Sequence, residues 1–190
     1  TDIRLPEPQR ELLKALKATG KPIVLVILSG RPLDLSWEDE NMDAILQAWF
    51  PGTQTGHGVA DVIAGDYNPS ARLVMSFPRN VGQIPIYYNQ KNTGRPVDLS
   101  NEATDYKSNY LDNSITPFGY GLSYTTFSIS SVSADKSSIR TTGDKMVVTA
   151  NVQNTGDIEG ELVIQLYVRD LVGSVTRPVK ELKGFQKIAL

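Results

Sequence analysis

The sequence predicts an α/β module followed by an all-β module, and three observations carry that prediction. The run Ile23-Val24-Leu25-Val26-Ile27-Leu28 is continuous, apolar and rich in β-branched residues, and a helix-patterned segment precedes it. After Phe127 the pattern changes to a period of two, as strands with one buried face require. Between these regimes lies Pro117-Phe118-Gly119-Tyr120-Gly121-Leu122-Ser123-Tyr124-Thr125-Thr126-Phe127. Its glycines permit backbone angles that residues with a Cβ avoid, and its rings can bury large apolar area. This stretch reads as a rigid clasp between two modules, not as a floppy linker.

The first element is a helix opened by Leu5-Pro6-Glu7-Pro8. Proline is tolerated in a first turn, and Glu7 and Glu11 suit the positive end of the helix dipole. Leu12, Leu13 and Leu16 share a face, and Gly20 is placed to end the element. The run from Ile23 to Leu28 then has the composition of a parallel strand buried on both faces. Ala44-Ile45-Leu46-Gln47-Ala48-Trp49-Phe50 reads as a second strand, stopped by Pro51-Gly52. Thr53 to Ala64 reads as a helix with Val59, Val62 and Ile63 inward and Gly65 at its end, followed by a turn cluster from Gly65 to Ser70. From Phe77 to Thr116 periodicity fades and Asn, Gly, Pro and Tyr accumulate. Loops this long inside a compact domain tend to be functional or to lie against a partner surface.

In the second module Met146, Val148, Ala150 and Val152 form one face of a strand, and Asn154-Thr155-Gly156-Asp157 turns the chain. Leu162, Ile164, Leu166 and Val168 share the next inward face, and Val179 to Leu190 supplies another strand. Such strands separated by turns indicate an immunoglobulin-like or fibronectin-like sandwich. The expected division is 1–116 for the α/β part with its loop at about 77–116, 117–127 for the clasp, and 128–190 for the β part. About four strands follow the clasp, against about seven in a full sandwich. Two parallel strands precede it, against about five in a typical sheet. Both modules therefore read as partial, and the chain as a piece of something longer whose remaining parts lie elsewhere.

Charge and composition narrow the function. A net charge of −2 gives no reason to expect nucleic acid or an acidic membrane surface. The longest apolar run is too short to cross a bilayer. No cysteine is present, which removes disulfides, thiolate nucleophiles and cysteine-based zinc sites. No signal peptide is visible after Thr1. His57 is the sole histidine, and neither Ser29 nor Ser123 lies in a G-x-S-x-G elbow, so His57 reads as a turn-packing or exposed residue. Gly52-Thr53-Gln54-Thr55-Gly56-His57-Gly58 precedes a helix but has the spacing of neither a dinucleotide fingerprint nor a P-loop, and reads as a tight turn.

Two groups of residues suit sugar chemistry. Asp34, Glu38, Asp39, Glu40 and Asp43 surround Trp37, and carboxylates beside an aromatic ring are the groups of glycoside hydrolysis. Charge runs of this kind usually mark a solvated helix start, which is the reading taken here. The loop Tyr87-Tyr88-Asn89-Gln90-Lys91-Asn92-Thr93-Gly94-Arg95-Pro96 offers ring faces, amides and a cation, the groups that recognise sugar hydroxyls. A surface loop tied down by its own polar contacts fits the same composition.

The clasp closely resembles the P-F-G-Y-G-L-S-Y-T-x-F segment of glycoside hydrolase family 3 enzymes, where an α/β-sandwich domain hands over to a fibronectin type III-like domain. Other segments resemble the family in the same order, among them Gly30-Arg31-Pro32, Trp49-Phe50-Pro51-Gly52, Gly65-Asp66-Tyr67-Asn68-Pro69-Ser70, Val81-Gly82-Gln83-Ile84-Pro85, Asn92-Thr93-Gly94-Arg95-Pro96, Asn154-Thr155-Gly156 and Leu182-Lys183-Gly184-Phe185. The resemblance covers nearly the whole chain and is similar to the bacterial periplasmic β-glucosidase branch. Ala71-Arg72-Leu73-Val74 departs from the Gly-(Lys/Arg)-Leu-Pro of relatives.

The resemblance implies a retaining β-glucosidase acting on glucosides or oligosaccharides without a cofactor or metal, periplasmic or secreted. It also implies that the aspartate nucleophile sits in a preceding barrel part of the same enzyme, and the acid/base glutamate upstream of Thr1. No catalytic residue is therefore expected on this chain, which should be inactive alone. Asn92 and Arg95 are its expected substrate-binding residues, on a loop lying against the barrel. The competing reading is a non-catalytic, fibronectin-like carbohydrate-binding or structural module.

Overall fold

The computed structural model describes residues 2–92, 115–140 and 142–190. Helix α1, Glu7–Lys17, begins after Pro6 with Pro8 in its first turn, and Lys14 and Lys17 face the negative end of the dipole. Ala18 caps it, and Gly20 at φ 69° takes the left-handed turn just beyond. Strands β1, Val24–Ile27, and β2, Ala44–Gln47, pair in parallel with Val24 opposite Ala44 and Ile27 opposite Gln47. The short helix α2, Ser36–Asn41, lies between them in sequence. Ile27, Leu33, Leu35 and Phe77 form the core, with Leu25, Ile45, Trp49 and Leu73 packed around it.

The expectation that the β1 run is buried on both faces is not met. Leu28 is 57 % exposed, and on α1 only Leu13 is buried while Leu12 is 58 % exposed. Leu5, Leu12, Leu13, Leu25, Leu28 and Leu33 contribute to an open groove of about 880 Å³ between α1 and β1. A strand needs a layer on each face to bury both, and among the described residues no element fills this side of the sheet.

A 3₁₀ turn, Gly52–Gln54, leads into helix α3, Thr55–Ala64, which ends at Gly65 with φ 86°. Val59 and Val62 are half-buried, but Ile63, expected inward, is exposed, and α3 buries no residue fully. Trp49 holds φ 55°, a conformation that costs a residue with a Cβ on the order of 1–2 kcal/mol. Its ring meets Phe77 in the core at 6.0 Å, while Phe50, 80 % exposed, lies over Gly30. A Cβ on Gly30 would stand 2.8 Å from that ring.

The all-β part contains β3, Phe127–Ala134, antiparallel to β4, Val148–Asn154, and β5, Glu161–Val168, antiparallel to β6, Glu181–Ala189. A bulge between Ser130 and Ser133 bends β3, with Ser131 at φ 51°. Leu162 is buried as expected, but Leu166 and Val168 of the same face are exposed. Their face has no covering sheet among the described residues.

The clasp carries a dense set of hydrogen bonds between the two modules. Gly119 N–H donates to Leu73 O (2.7 Å), and Leu73 N–H donates to Tyr120 O (2.8 Å). Phe118 N–H donates to Ser76 Oγ, and Gln165 Nε2 donates to Gly119 O (2.9 Å), bringing β5 onto the clasp. Asn68 uses both ends of its amide. Its Oδ1 accepts from Ser123 Oγ and Tyr124 N–H, each at 2.8 Å, and its Nδ2 donates to Glu159 O at 3.0 Å. Tyr124 Oη reaches the carbonyl of Val62 on α3 (2.6 Å), and Thr125 Oγ1 donates to Asn154 Oδ1 (2.7 Å) at the end of β4.

Candidate functional site

The long loop leaves and re-enters the fold at one point. Phe77 and Thr116 form an antiparallel bridge, with Phe77 N–H donating to Thr116 O (2.9 Å) and Ile115 N–H to Phe77 O (3.0 Å). Phe77 is buried in the core, so the stem of the loop is anchored in the α/β module. Beyond the stem, Pro78 and Gln83 are fully buried, and Ser36 Oγ donates to Arg79 O (2.8 Å). A 3₁₀ turn, Val81–Gln83, is capped by Asn80, whose Oδ1 accepts from Gly82 N–H (2.8 Å). The peptide bond between Ile84 and Pro85 is cis.

The two adjacent tyrosines then part company. Tyr87 is 58 % exposed. Tyr88 turns inward and stacks on Phe118 of the clasp, with ring centroids 4.3 Å apart and planes 17° from parallel. Its other neighbour is Tyr167 of β5, edge-on at 6.1 Å and 70°. Leu182 N–H on β6 donates to Tyr88 Oη (3.3 Å), Val179 N–H donates to Gln90 O (2.8 Å), and Lys91 bridges Pro178. Residues 88–91 are thus tied to the β5–β6 sheet. Asn92 follows directly on this tether and is exposed. Arg95, the other expected substrate contact, lies outside the described residues.

The acidic group around Trp37 splits, and one member corrects the expectation of a solvated helix start. Asp34 Oδ1 accepts from Ser36 N–H and Oγ at the start of α2, and Asp43 Oδ2 accepts from Ile23 N–H at the start of the sheet. Glu38, however, is only 1 % exposed and meets Arg10 Nε of α1 at 3.3 Å. Burying a carboxylate requires a cation or hydrogen-bond donors, and Arg10 supplies both. These acids serve as turn anchors and a helix-to-helix pin. His57 is exposed on the first turn of α3, as expected. Among the described residues no group of His, Cys, Asp or Glu has the arrangement to hold a metal ion.

A second polar cluster joins the modules beside the clasp. Glu161 Oε2 accepts from Ser70 Oγ (3.1 Å) and Tyr67 Oη (3.4 Å) and pairs with Lys187 Nζ at 2.5 Å. The Lys187 ammonium, followed by Ser70 and Tyr67, holds the Glu161 carboxyl below its ordinary range, and the carboxylate in turn raises Lys187. Burial raises Tyr167 and lowers Arg72. The sequence marked Tyr67 to Ser70 only as a turn, and nothing in its composition signals the cross-module contacts of Asn68.

The profile of the Glycosyl hydrolase family 3 C-terminal domain matches residues 1–124, well over half of the chain. The chain belongs to glycosyl hydrolase family 3. A fibronectin type III-like profile matches residues 162–190. The whole chain is 52 % identical to a periplasmic beta-glucosidase of Salmonella typhimurium and 43 % identical to a beta-xylosidase of Formosa agariphila, covering 25 % of each. Among solved structures it resembles a beta-glucosidase from Listeria innocua in complex with isofagomine, at 44 % identity and a TM-score of 0.84, over 99 % of this chain and 26 % of that one. A β-glucosidase from Erythrobacter marinus superposes with a TM-score of 0.87 at 43 % identity, over 99 % of this chain and 24 % of the other. The chain therefore spans about a quarter of the length of the curated relatives it matches.

Proposed function

We propose that this family 3 segment is the C-terminal-side part of a retaining β-glucosidase that releases terminal β-linked glucose from glucosides or oligosaccharides, in the periplasm or outside the cell. The observation that carries the reading is identity of 52 % along the full chain to a relative named as a periplasmic beta-glucosidase. Retention requires two carboxylates about 5–5.5 Å apart across the glycosidic bond, one as nucleophile and one as acid/base. Four acids of this chain have structural partners: Glu38 with Arg10, Asp34 with Ser36, Asp43 with Ile23 N–H and Glu161 with Lys187. In this reading both reacting carboxylates belong to the preceding part of the enzyme, and the double displacement calls for neither a metal nor a cofactor. The α1–β1 groove suits a face covered by that part, since it is wide, exposes several leucines and lies beside a strand edge that is unpaired among the described residues.

The α/β module would end and the fibronectin-like module begin within 117–127. In this reading the loop leaving the Phe77–Thr116 stem lies against the barrel, and Asn92 and Arg95 contact the sugar at the active-site rim.

The test has two arms. The purified chain, given a chromogenic β-glucoside, should show no enzyme-like turnover, whereas the full-length protein should hydrolyse it with retained anomeric configuration. Turnover by the chain alone overturns the assignment of both carboxylates elsewhere. In the full-length protein, Arg95→Ala should reduce kcat/KM by the equivalent of about 1–3 kcal/mol, the scale of a hydrogen bond to a charged group, with little change in Tm. A kcat/KM within about twofold of the parent removes Arg95 from the rim. Parallel assays on β-xylosides decide the sugar, because a beta-xylosidase is also among the relatives.

A further inference from the structure

The part of the loop that precedes Asn92 is held by the second module as firmly as its stem is held by the first. Tyr88 stands between Phe118 and Tyr167, its hydroxyl accepts from Leu182 N–H, and the next residues are fixed at Gln90 O and by the Lys91–Pro178 bridge. Tyr167 is itself fixed from below, where its hydroxyl donates to Gln165 Oε1 while Gln165 Nε2 donates to Gly119 O. Lys180 Nζ lies 5.4 Å from the centre of the Tyr167 ring. A surface loop needs no such support merely to connect two elements, and each contact beyond the stem orders residues against their conformational entropy. These contacts fall on Tyr88, Gln90 and Lys91, within the four residues before Asn92.

From this we propose that Tyr88 is a positioning residue, through which the fibronectin-like β5–β6 sheet sets the placement of Asn92 toward the sugar. The inference rests on the rim reading above and adds to it a role for the fibronectin-like module in substrate binding. Tyr88 touches no substrate in this scheme. It acts because misplacing a binding group by about 1 Å can cost as much as a hundredfold in rate. The ring, stacked on Phe118 and set edge-on to Tyr167, carries the effect, and the hydroxyl adds the register against β6.

The test compares Tyr88→Ala, Tyr88→Phe and Tyr167→Leu in the full-length protein, measuring kcat, KM and Tm with an aryl β-glucoside and a β-linked glucose disaccharide. Tyr88→Ala should raise KM for the disaccharide by about tenfold with kcat changed less than about threefold, as expected for a binding group displaced away from the bond-breaking atoms. Tyr88→Phe, which keeps the ring, should restore KM to within about threefold of the parent. Tyr167→Leu removes the support from the other module without touching the loop, and should raise KM in the same direction even where Tyr88→Ala does not fold. A lowered Tm with unchanged KM in both Tyr88→Ala and Tyr167→Leu overturns the inference, because support alone would then be the role of these rings. Asn92→Ala and Arg95→Ala distinguish the two ways of failing. If they impair binding while the tyrosine variants do not, only the positioning role falls. If they too are silent, the rim reading has failed and the positioning role falls with it.

Discussion

At the clasp and at the α1–β1 groove the same chain shows two different degrees of completion. Around the clasp, Asn68, Ser123, Thr125, Asn154 and Gln165 share partners drawn from both modules, and the glycines stand where a side chain would collide. Across the groove, Leu12 and Leu13 of α1 and Leu25 of β1 line about 880 Å³ of open space that no described element fills. The contrast teaches that contacts between the two modules are made within the chain, whereas the outer α/β face is left open among the described residues. Buried polar groups that share partners stabilise as a set, and losing one leaves the others desolvated. Apolar groups that are already exposed lose little when truncated.

The largest effect should come from the buried pin between α1 and α2. Arg10→Ala leaves Glu38 buried and uncompensated, and should destabilise the folded chain by about 3–5 kcal/mol in a denaturant titration. Arg10→Lys should recover part of that loss, because charge returns without the planar fork. In the clasp, Gly119 sits at φ 83°, and a Cβ there would stand 2.2 Å from Gln165 Oε1 and 2.8 Å from Tyr167 Oη. Gly119→Ala should therefore cost about 2–4 kcal/mol, combining left-handed strain with two displaced hydrogen bonds. If it costs no more than an ordinary surface substitution, the clasp is looser than its contacts indicate.

Asn68 allows a finer cut. Asn68→Ala should cost about 1–3 kcal/mol by stranding Ser123, Tyr124 N–H and the Glu159 carbonyl. Asn68→Asp keeps the acceptor but sets a charged oxygen against the Glu159 carbonyl in place of the donor, so its thermal midpoint should fall below that of the parent.

The Glu161–Lys187 pair should give a smaller, pH-dependent effect. Glu161 is depressed in the folded state, so its contribution is present above the ordinary glutamate pKa of 4.5 and fades as pH falls through the folded value. Lys187 is raised, so its contribution is present below 10.5 and fades as pH rises through its folded value. Stability of Glu161→Gln should accordingly lie below the parent near neutrality and converge with it in acid; a constant gap down to pH 2 would show that hydrogen bonding, not charge, makes the contact.

Smallest of all, Leu12→Ser in the isolated chain should change stability by less than about 0.5 kcal/mol. The same change in the full-length protein should cost about 2 kcal/mol if the preceding part covers the groove, the scale of burying one leucine.

Much of the fold was legible because it is written in local chemistry. Pro8 and Glu7 mark the start of α1, Gly65 the end of α3, and the β-branched run marks β1. What escaped depends on distant partners. Five acids within ten residues read as solvated, and only the fold brings Arg10 to Glu38. Ile63, Leu166 and Val168 follow the periodicity of buried positions, yet burial needs a second layer, and periodicity does not say whether one is present. The candidate site was legible as a composition, with Asn92 exposed at the end of a well-held segment. Which of two neighbouring tyrosines turns inward was not, because Tyr87 and Tyr88 differ only in what stands opposite them.

Asn68 has one further consequence, which concerns chemical ageing. Asparagine side chains deamidate when the nitrogen of the next residue attacks the amide carbon. The next residue here is Pro69, whose nitrogen carries no hydrogen and cannot close that ring in the usual way. The amide that spans clasp and fibronectin-like module is thereby also one whose neighbour disarms its commonest route of decay, so the junction should keep its chemistry as the protein ages.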